Sequence, residues 1–376
     1  MLLSEEHRLI QETATRFALD EILANRDKFA ENKPLLLETM KKLGQLGLLS
    51  LLVPETLGGV NAGFLAYAVA MEAVAYADAS ISTFMSVQNS VVMMPLVQFG
   101  TDSQKNQFLP SLISGESLGA FCLTEPNAGS DAAAIQSSAR READGYVING
   151  NKQFITLGDS AGLAIVFANV DFSLGKKGIT AFLVPRNTPG YQMIRIEHKM
   201  GQSASETAQL VFENCKIPLE NRLGAEGEGL KIALSQLESG RIGIAAQALG
   251  IACRAFELTK QYAKERKTFG KKLIEHQAIQ FKLAEMEMQI CAARQLIWHA
   301  ATLKDAKLPA MKECAMAKLF AAEVSEFVCR EAIQIHGGYG YLEDYEVERL
   351  YRDQRVCALY EGTSEVQKMI ISKMMT

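Results

Sequence analysis

"GYVINGNKQFIT", residues 145–156, decides the fold. It sets two short β-prone runs on either side of Asn149-Gly150. That pair between such runs is the strongest local hairpin signal, because both residues tolerate the positive φ of a tight turn. The spacing predicts a hairpin here. "LAIVFANV" (163–170), "GITAFLVP" (178–185) and "AQLVFENCKIP" (208–218) read as further strands separated by Gly, Pro and charged turns. Regular short strands without long helices between them call for an antiparallel sheet or small barrel.

On both sides of this region the hydrophobic period becomes helical. Toward the amino terminus, "SEEHRLIQETATRFALDEIL" (4–23) offers Ser4 as an N-cap, glutamates behind it and an apolar stripe. "PLLLETMKKLGQLGLLSL" (34–51) continues the pattern, "VPETLGG" (53–59) is a loop, and the Ala-rich segment 62–79 is a buried helix. Beyond "GAEGEGL" (224–230) helices return. In 234–256, Ala245, Ala248, Leu249, Ala252, Ala255 and Phe256 predict one narrow face of small residues suited to close helix packing. Two long amphipathic stretches, 275–305 and 309–336, follow. The expected class is α+β: an all-α domain (1–117), a central antiparallel β-barrel or sandwich domain (118–225) and a C-terminal four-helix-bundle domain (226–376).

Composition bounds the function. A chain of 376 residues exceeds the ~250–300 at which a single core stops growing, so several packed units are expected. The net charge of −4 without a basic cluster argues against nucleic acid and polybasic membrane anchoring. Seven cysteines, none in a CxxC pair, read as reduced thiols, and five histidines show no HxxxH spacing, so no metal is expected. The amino-terminal "MLLSEEHRLIQ" does not resemble a leader, and the Ala-rich stretch, interrupted by Glu72, is too short for a membrane span. A cytoplasmic protein, or the mature form of a mitochondrial matrix protein, is expected.

No GxGxxG follows a strand and no GxxxxGK[ST] is present, so neither a Rossmann nor a P-loop site is supported. "HGGYGY" (336–341) is either a helix C-cap or a close backbone approach to a cofactor. "CLTEPNAGSD" (122–131) is a turn-rich loop offering hydroxyls and N–H groups. "ERKTFGKKL" (265–273) is a solvated helix end or a cradle for a pyrophosphate. In "LYEGTSEV" (359–366), Glu361 stands in apolar company just before "MIISKMM". It is either a partly exposed glutamate at a helix start or a base whose basicity is raised by a dry pocket.

Together, "CLTEPNAGSD", "GYVINGNKQFIT", "KMGQ…SETA", "ERKTFGKKLIEHQAIQFKLAEM", "IQIHGGYGY" and "YRDQRVCALYEGTSEVQ" resemble the acyl-CoA dehydrogenase family over the whole chain. "LESGRIGIAAQALGIA" (237–252) is most similar to the short-chain, butyryl-CoA branch. The resemblance implies a helical, β and helical domain order, FAD as cofactor, formation of a trans-2-enoyl-CoA from an acyl-CoA, a homotetramer built as a dimer of dimers, and electron-transferring flavoprotein as partner. Glu361 is then the base that removes the α-proton while the β-hydride passes to flavin N5. Gly362 supplies an N–H to the thioester carbonyl.

Carried over in the same way, Thr124 and Thr156 contact the flavin ring and Phe154 covers it. Phe121, Leu123, Gly129, Ser130 and Ile155 belong to the same cofactor site, with Ser130 also touching CoA. Glu238 and Arg241 flank the CoA arm. Arg266, Thr268, Phe269, Gln277, Gln334, Gly337 and Gly338 clasp the FAD of a neighbouring subunit, and Thr363 and Glu365 continue the contact after the base.

Some branches carry the base immediately before the arginine of the "LESGR" segment; here that position is Gly240, which leaves Glu361 as the matched candidate. Dicarboxylyl branches carry an arginine where this chain has Ser82, which disfavours a glutaryl-type substrate. Ser203 replaces a usual arginine in "MGQSASETA", which puts the order of that loop in question. An O2-using oxidase or monooxygenase and a non-catalytic acyl-CoA-binding scaffold remain alternative readings.

Overall fold

The computed structural model describes residues 2–375. Its amino-terminal helices are α1 (Glu5–Phe17), α2 (Lys33–Gln45), α3 (Gly63–Ala77), α4 (Ala79–Ser86), α5 (Met93–Phe99) and α6 (Asp102–Ile113). Ser4 caps α1 as expected, its Oγ accepting from His7 N at 3.2 Å. A π-helical turn, Val87–Val92, joins α4 to α5. Its polar residues tie the helical region to the sheet and to its own loop: Gln88 exchanges two hydrogen bonds with the backbone of Gly119 (2.8 and 3.0 Å), and Asn89 holds Leu51 N and Leu48 O.

The strands are β1 (Gly119–Cys122), β2 (Ser138–Arg141), β3 (Gly145–Thr156), β4 (Leu163–Asn169), β5 (Ile179–Pro185), β6 (Tyr191–Ile196), β7 (Thr207–Pro218) and β8 (Arg222–Leu223). They form one sheet in the order β6-β7-β3-β2-β4-β5-β8, with β1 added on β4. The sheet is mixed rather than wholly antiparallel: β1 runs parallel to β4, and β2 meets β4 in parallel at Ser138–Asn169.

The expected hairpin at Asn149-Gly150 does not form. β3 runs straight through the pair, bonded to β7 from Gly145–Pro218 to Thr156–Thr207, and the Asn-Gly step is a shift of register. Asn149 Oδ1 accepts from Asn214 N (2.8 Å) on β7, and a side chain at Gly150 would run into Ser137. The pair makes a bulge because a long partner strand continues on both sides of it. A two-residue hairpin occurs elsewhere, where the sequence suggested a helix end or a pyrophosphate cradle: Phe269 and Gly270, φ 50° and 80°, join β9 (Lys267–Thr268) to β10 (Lys271–Lys272).

The C-terminal domain consists of α7 (Gly229–Glu265), α8 (Gln277–Asp305), α9 (Met311–His336), α10 (Val347–Gln354) and α11 (Ser364–Lys373). α7 is long and apolar enough to cross a membrane by composition, a feature absent from the reading of 62–79, yet its most apolar stretch is mostly buried in the protein. It packs against α3 and α9, and Ser239 to Ala252 are buried without interruption. The expected single narrow face is therefore wrong. Glycine and alanine line α7 on every side because helices approach from every side; a side chain at Gly250, for instance, would strike Ala75 and the backbone of Glu72. Arg294 of α8 closes on Glu72 of α3 (2.7 Å), and Glu346 takes both Arg254 of α7 and Arg26 beyond α1.

Candidate active site

Glu361 sits in the turn between a short 3-10 segment (Arg355–Ala358) and α11. Its own φ is 53° and that of Gly362 is 88°, two left-handed residues in succession. The turn carries the Glu361 carboxyl inward against α7, where Oε2 is buried with no hydrogen-bond partner among the described residues. Burial pushes its pKa up to about 7, against the opposing pull of the Arg241 guanidinium and the Lys318 ammonium. Arg241 is itself buried, with Nε unpartnered. An orphaned carboxylate oxygen beside an orphaned donor is costly unless something comes to meet it. At neutral pH such a carboxyl is about half ionised, poised to accept a proton.

Gly240 makes this placement possible. A Cβ there would lie 2.7 Å from Glu361 Oε2 and 2.9 Å from Cδ and Oε1. Because the obstructing atoms end a flexible side chain, Gly240→Ala is expected to fold normally but displace the carboxyl. Misplacing a reacting group by about 1 Å costs up to about 100-fold. We expect kcat at least tenfold down with a melting temperature close to wild type, checked by steady-state kinetics alongside thermal unfolding.

On the sheet, a second register shift, between Lys152 and Ile155, throws Phe154 out of the ladder with φ 60° and leaves it 64% exposed. At that point β3 turns to another partner: Gln153 N donates to Thr124 O at 2.9 Å. Phe154 and Thr124 are thus presented at one edge, with Thr156 two residues on. Gly129 and Ser130 are exposed in the neighbouring loop, and space above Gly129 is open. Phe121 packs edge-on against Phe167, while Leu123 and Ile155 are buried and offer only backbone. Beneath this edge lies Lys152, fully buried, donating to Glu125 Oε1 (2.8 Å), Leu123 O (3.1 Å) and Phe167 O (2.7 Å). Glu125 also accepts from Gln136 N and Ser137 N. Burial alone would raise the Glu125 carboxyl; the ammonium and these N–H groups outweigh it and hold the pKa low.

The remaining predicted residues fall in two places. Arg266, Thr268, Gly337 and Gly338 line an open groove of about 370 Å³ with Tyr262, His336 and Tyr339. Phe269 stands 97% exposed beside it, Gln277 and Gln334 are exposed, and nothing fills the space where Gly337 or Gly338 would carry a Cβ. This groove lies at the far end of α7 from Arg241, about 36 Å away at 1.5 Å per residue. Glu238, Thr363 and Glu365 sit at the Glu361 end. Glu238 pairs with Lys304 (3.0 Å), and Thr363 Oγ1 caps α11 by accepting from Val366 N (3.3 Å). Glu365 is exposed in the first turn of α11.

Family models for the N-terminal, middle and C-terminal domains of acyl-CoA dehydrogenase match residues 4–116, 120–215 and 227–376. The chain belongs to the acyl-CoA dehydrogenase family. It is 45% identical over 370 residues, 98% of its length and 90% of the relative's, to the mitochondrial short-chain specific acyl-CoA dehydrogenase of Mus musculus. The solved structure of butyryl-CoA dehydrogenase from Megasphaera elsdenii is 42% identical with a TM-score of 0.96, covering 100% of this chain and 99% of that one. Subunit CarC of the caffeyl-CoA reductase-Etf complex of Acetobacterium woodii is 40% identical over 376 residues, 100% of this chain and 99% of that relative.

Within this acyl-CoA dehydrogenase the Ser203 loop is held by hydrogen bonds of Gln202, without an arginine. Gln202 bonds through its N–H to Asp353 and through its amide to Thr83 Oγ1 (2.7 Å) and Asp353 O (3.3 Å), while Ser203 itself is exposed. Ser82 is wholly buried and accepts from Gln247 Nε2 (2.8 Å), so it presents no charge. Three residues of the site escaped the sequence reading: Lys152, Lys318 and Gln367. Lys318 and Gln367 both donate to the Gly362 carbonyl, at 2.7 and 2.8 Å. A lysine at position 318 is unremarkable as sequence, since one charge on an amphipathic helix reads as its solvated face.

Proposed function

We propose that this protein is an FAD-dependent dehydrogenase of short-chain or short-branched acyl-CoA thioesters, forming the trans-2-enoyl-CoA, with Glu361 as the base. The observation that carries the reading is the buried, unpartnered Glu361 Oε2 pressed against Gly240, its pKa raised to about 7. A base tuned near the working pH suits removal of a proton α to a thioester carbonyl. The Gly362 N–H, on the same turn, would hydrogen-bond the carbonyl oxygen as it gains enolate character. Arg241 keeps the carboxyl ionisable despite its burial.

The residues present fit FAD. Phe154 and Thr124 stand at an exposed edge with open backbone at Gly129, and the distant groove offers the Arg266 guanidinium, the Thr268 hydroxyl and uncovered glycines. When bound, FAD supplies the two-electron acceptor for the hydride leaving the substrate's β-carbon. The groove lies at the other end of α7 from Arg241, which supports a second copy of the chain completing each cofactor site, as in a homotetramer.

Electron-transferring flavoprotein is the proposed partner, and the Acetobacterium relative's place in a reductase-Etf complex supports it. That relative's name also favours a second reading, reduction of a 2-enoyl-CoA, in which protonated Glu361 returns the α-proton. Ser82, buried and neutral where dicarboxylyl branches carry an arginine, supports a substrate without a distal carboxylate.

The test is anaerobic mixing of holoprotein with butyryl-CoA, then longer and branched acyl-CoAs, following the flavin's visible band. Bleaching that is strongest with short chains is expected. No bleaching with any acyl-CoA would reject the reading, and stoichiometric peroxide under air would move it to an oxidase.

A further inference from the structure

We infer that Lys318 of α9 and Gln367 of α11 are positioning residues, a clamp that fixes the Glu361–Gly362 turn and so aims both the base and the Gly362 N–H. This rests on the reading of Glu361 as the base. The turn needs such a clamp. A non-glycine residue in the left-handed region is strained and persists only where its surroundings over-determine it. Here three hydrogen bonds from two side chains do so: Lys318 Nζ to Gly362 O (2.7 Å), Gln367 Nε2 to Gly362 O (2.8 Å) and Gln367 Nε2 to Glu361 O (3.1 Å). Both side chains are fully buried. Two carbonyls converge on the Gln367 amide, so it must present its NH2, and its Oε1 is left unpartnered.

The geometry reaches the chemistry through the peptide plane. In a trans peptide the N–H points opposite to the C=O. By holding Glu361 O, Gln367 sends the Gly362 N–H to the other side of the turn. By holding Gly362 O, Lys318 fixes the next plane and places a cation behind the base. The charged and titratable groups facing Glu361 are Arg241 from α7, Lys318 from α9 and the Tyr67 phenol from α3. Cys357, Glu365 and Arg241 face Lys318 in turn. Removing the ammonium therefore loosens the turn and takes away one of two charges that favour the carboxylate.

Two variants separate these effects, Lys318→Met and Gln367→Met, each keeping an unbranched side chain of similar length. Both are expected to lower kcat about tenfold or more while changing KM little. In Lys318→Met the acid limb of kcat/KM also moves to higher pH by about one unit, because a neighbouring positive charge is gone. In Gln367→Met that midpoint stays where it is. A role in stability alone would move neither midpoint. A wild-type pH profile in Lys318→Met overturns the proposal, as does kcat within twofold of wild type in Gln367→Met, which also decides the matter should Lys318→Met not fold. Glu361→Gln, run alongside, tells the two failures apart: an active Glu361→Gln variant refutes the base itself, whereas an inactive one beside normal clamp variants refutes only the clamp.

Discussion

Glu361→Gln is expected to lower kcat by about 10²–10⁴-fold, the usual worth of a positioned general base, while FAD and acyl-CoA still bind. Glutamine fills nearly the same volume against Gly240 and keeps the turn, so the loss falls on proton removal. The same substitution should stabilise the protein above neutral pH. Burial raises the Glu361 pKa from 4.5 to about 7, so the folded state holds this proton more tightly than the unfolded chain does. Stability therefore falls as pH rises from about 4.5 to about 7, by about 3 kcal/mol for a shift of this size. Comparing urea midpoints below pH ~5 and above pH ~8 should show the wild type losing more stability than the variant across that window. Activity should run the opposite way: kcat/KM of the wild type is expected to climb through pH ~7 and level off above it. On the proposed reading, the ionised base is useful and destabilising at once.

Lys152→Met should have the largest effect on the fold. The ammonium is wholly buried, and its loss leaves Glu125 with a buried charge and two backbone donors, and leaves Leu123 O and Phe167 O short of theirs. Breaking one partner out of a buried pair costs about 3–5 kcal/mol, against 0–1 for an exposed one. Because Leu123 adjoins Thr124, the exposed edge should loosen too, and FAD should be lost at lower denaturant than global unfolding requires. Adding Glu125→Gln to Lys152→Met removes the stranded charge and should recover part of the stability, a coupling that a double-mutant cycle measures. A loss below ~1 kcal/mol in the single variant would mean that the pair does not hold the loop.

What the sequence made legible follows from how local each signal is. Ser4 and the stripe behind it fixed the first helix because capping and periodicity act over a few residues. Glu361 stood out because a carboxylate among apolar neighbours is costly, and Gly240 because it is the position from which a rival base is missing. Asn149-Gly150 misled, since a preference for left-handed φ marks a bulge as well as a turn. The length of the partner strand β7 chose between them, and that is tertiary information. Phe269-Gly270, which does form a hairpin, lay in a run of lysines that read as a solvated helix end or a pyrophosphate cradle. α7 looked one-faced because apolar alanine and glycine say how close a neighbour can come, not how many neighbours there are. Lys152, Lys318 and Gln367 were illegible for one shared reason: their partners are backbone carbonyls, a peptide plane or a distant carboxylate, and none of these leaves a pattern near the residue.

The most direct measurement is exchange of the substrate's α-hydrogen. Butyryl-CoA incubated in D2O with anaerobic, FAD-loaded wild type should gain deuterium at the α-carbon, read by mass spectrometry, and with Glu361→Gln it should gain no more than in buffer. Exchange at the wild-type rate in that variant would mean that another group takes the proton, and that the buried carboxyl beside Gly240 is not the base.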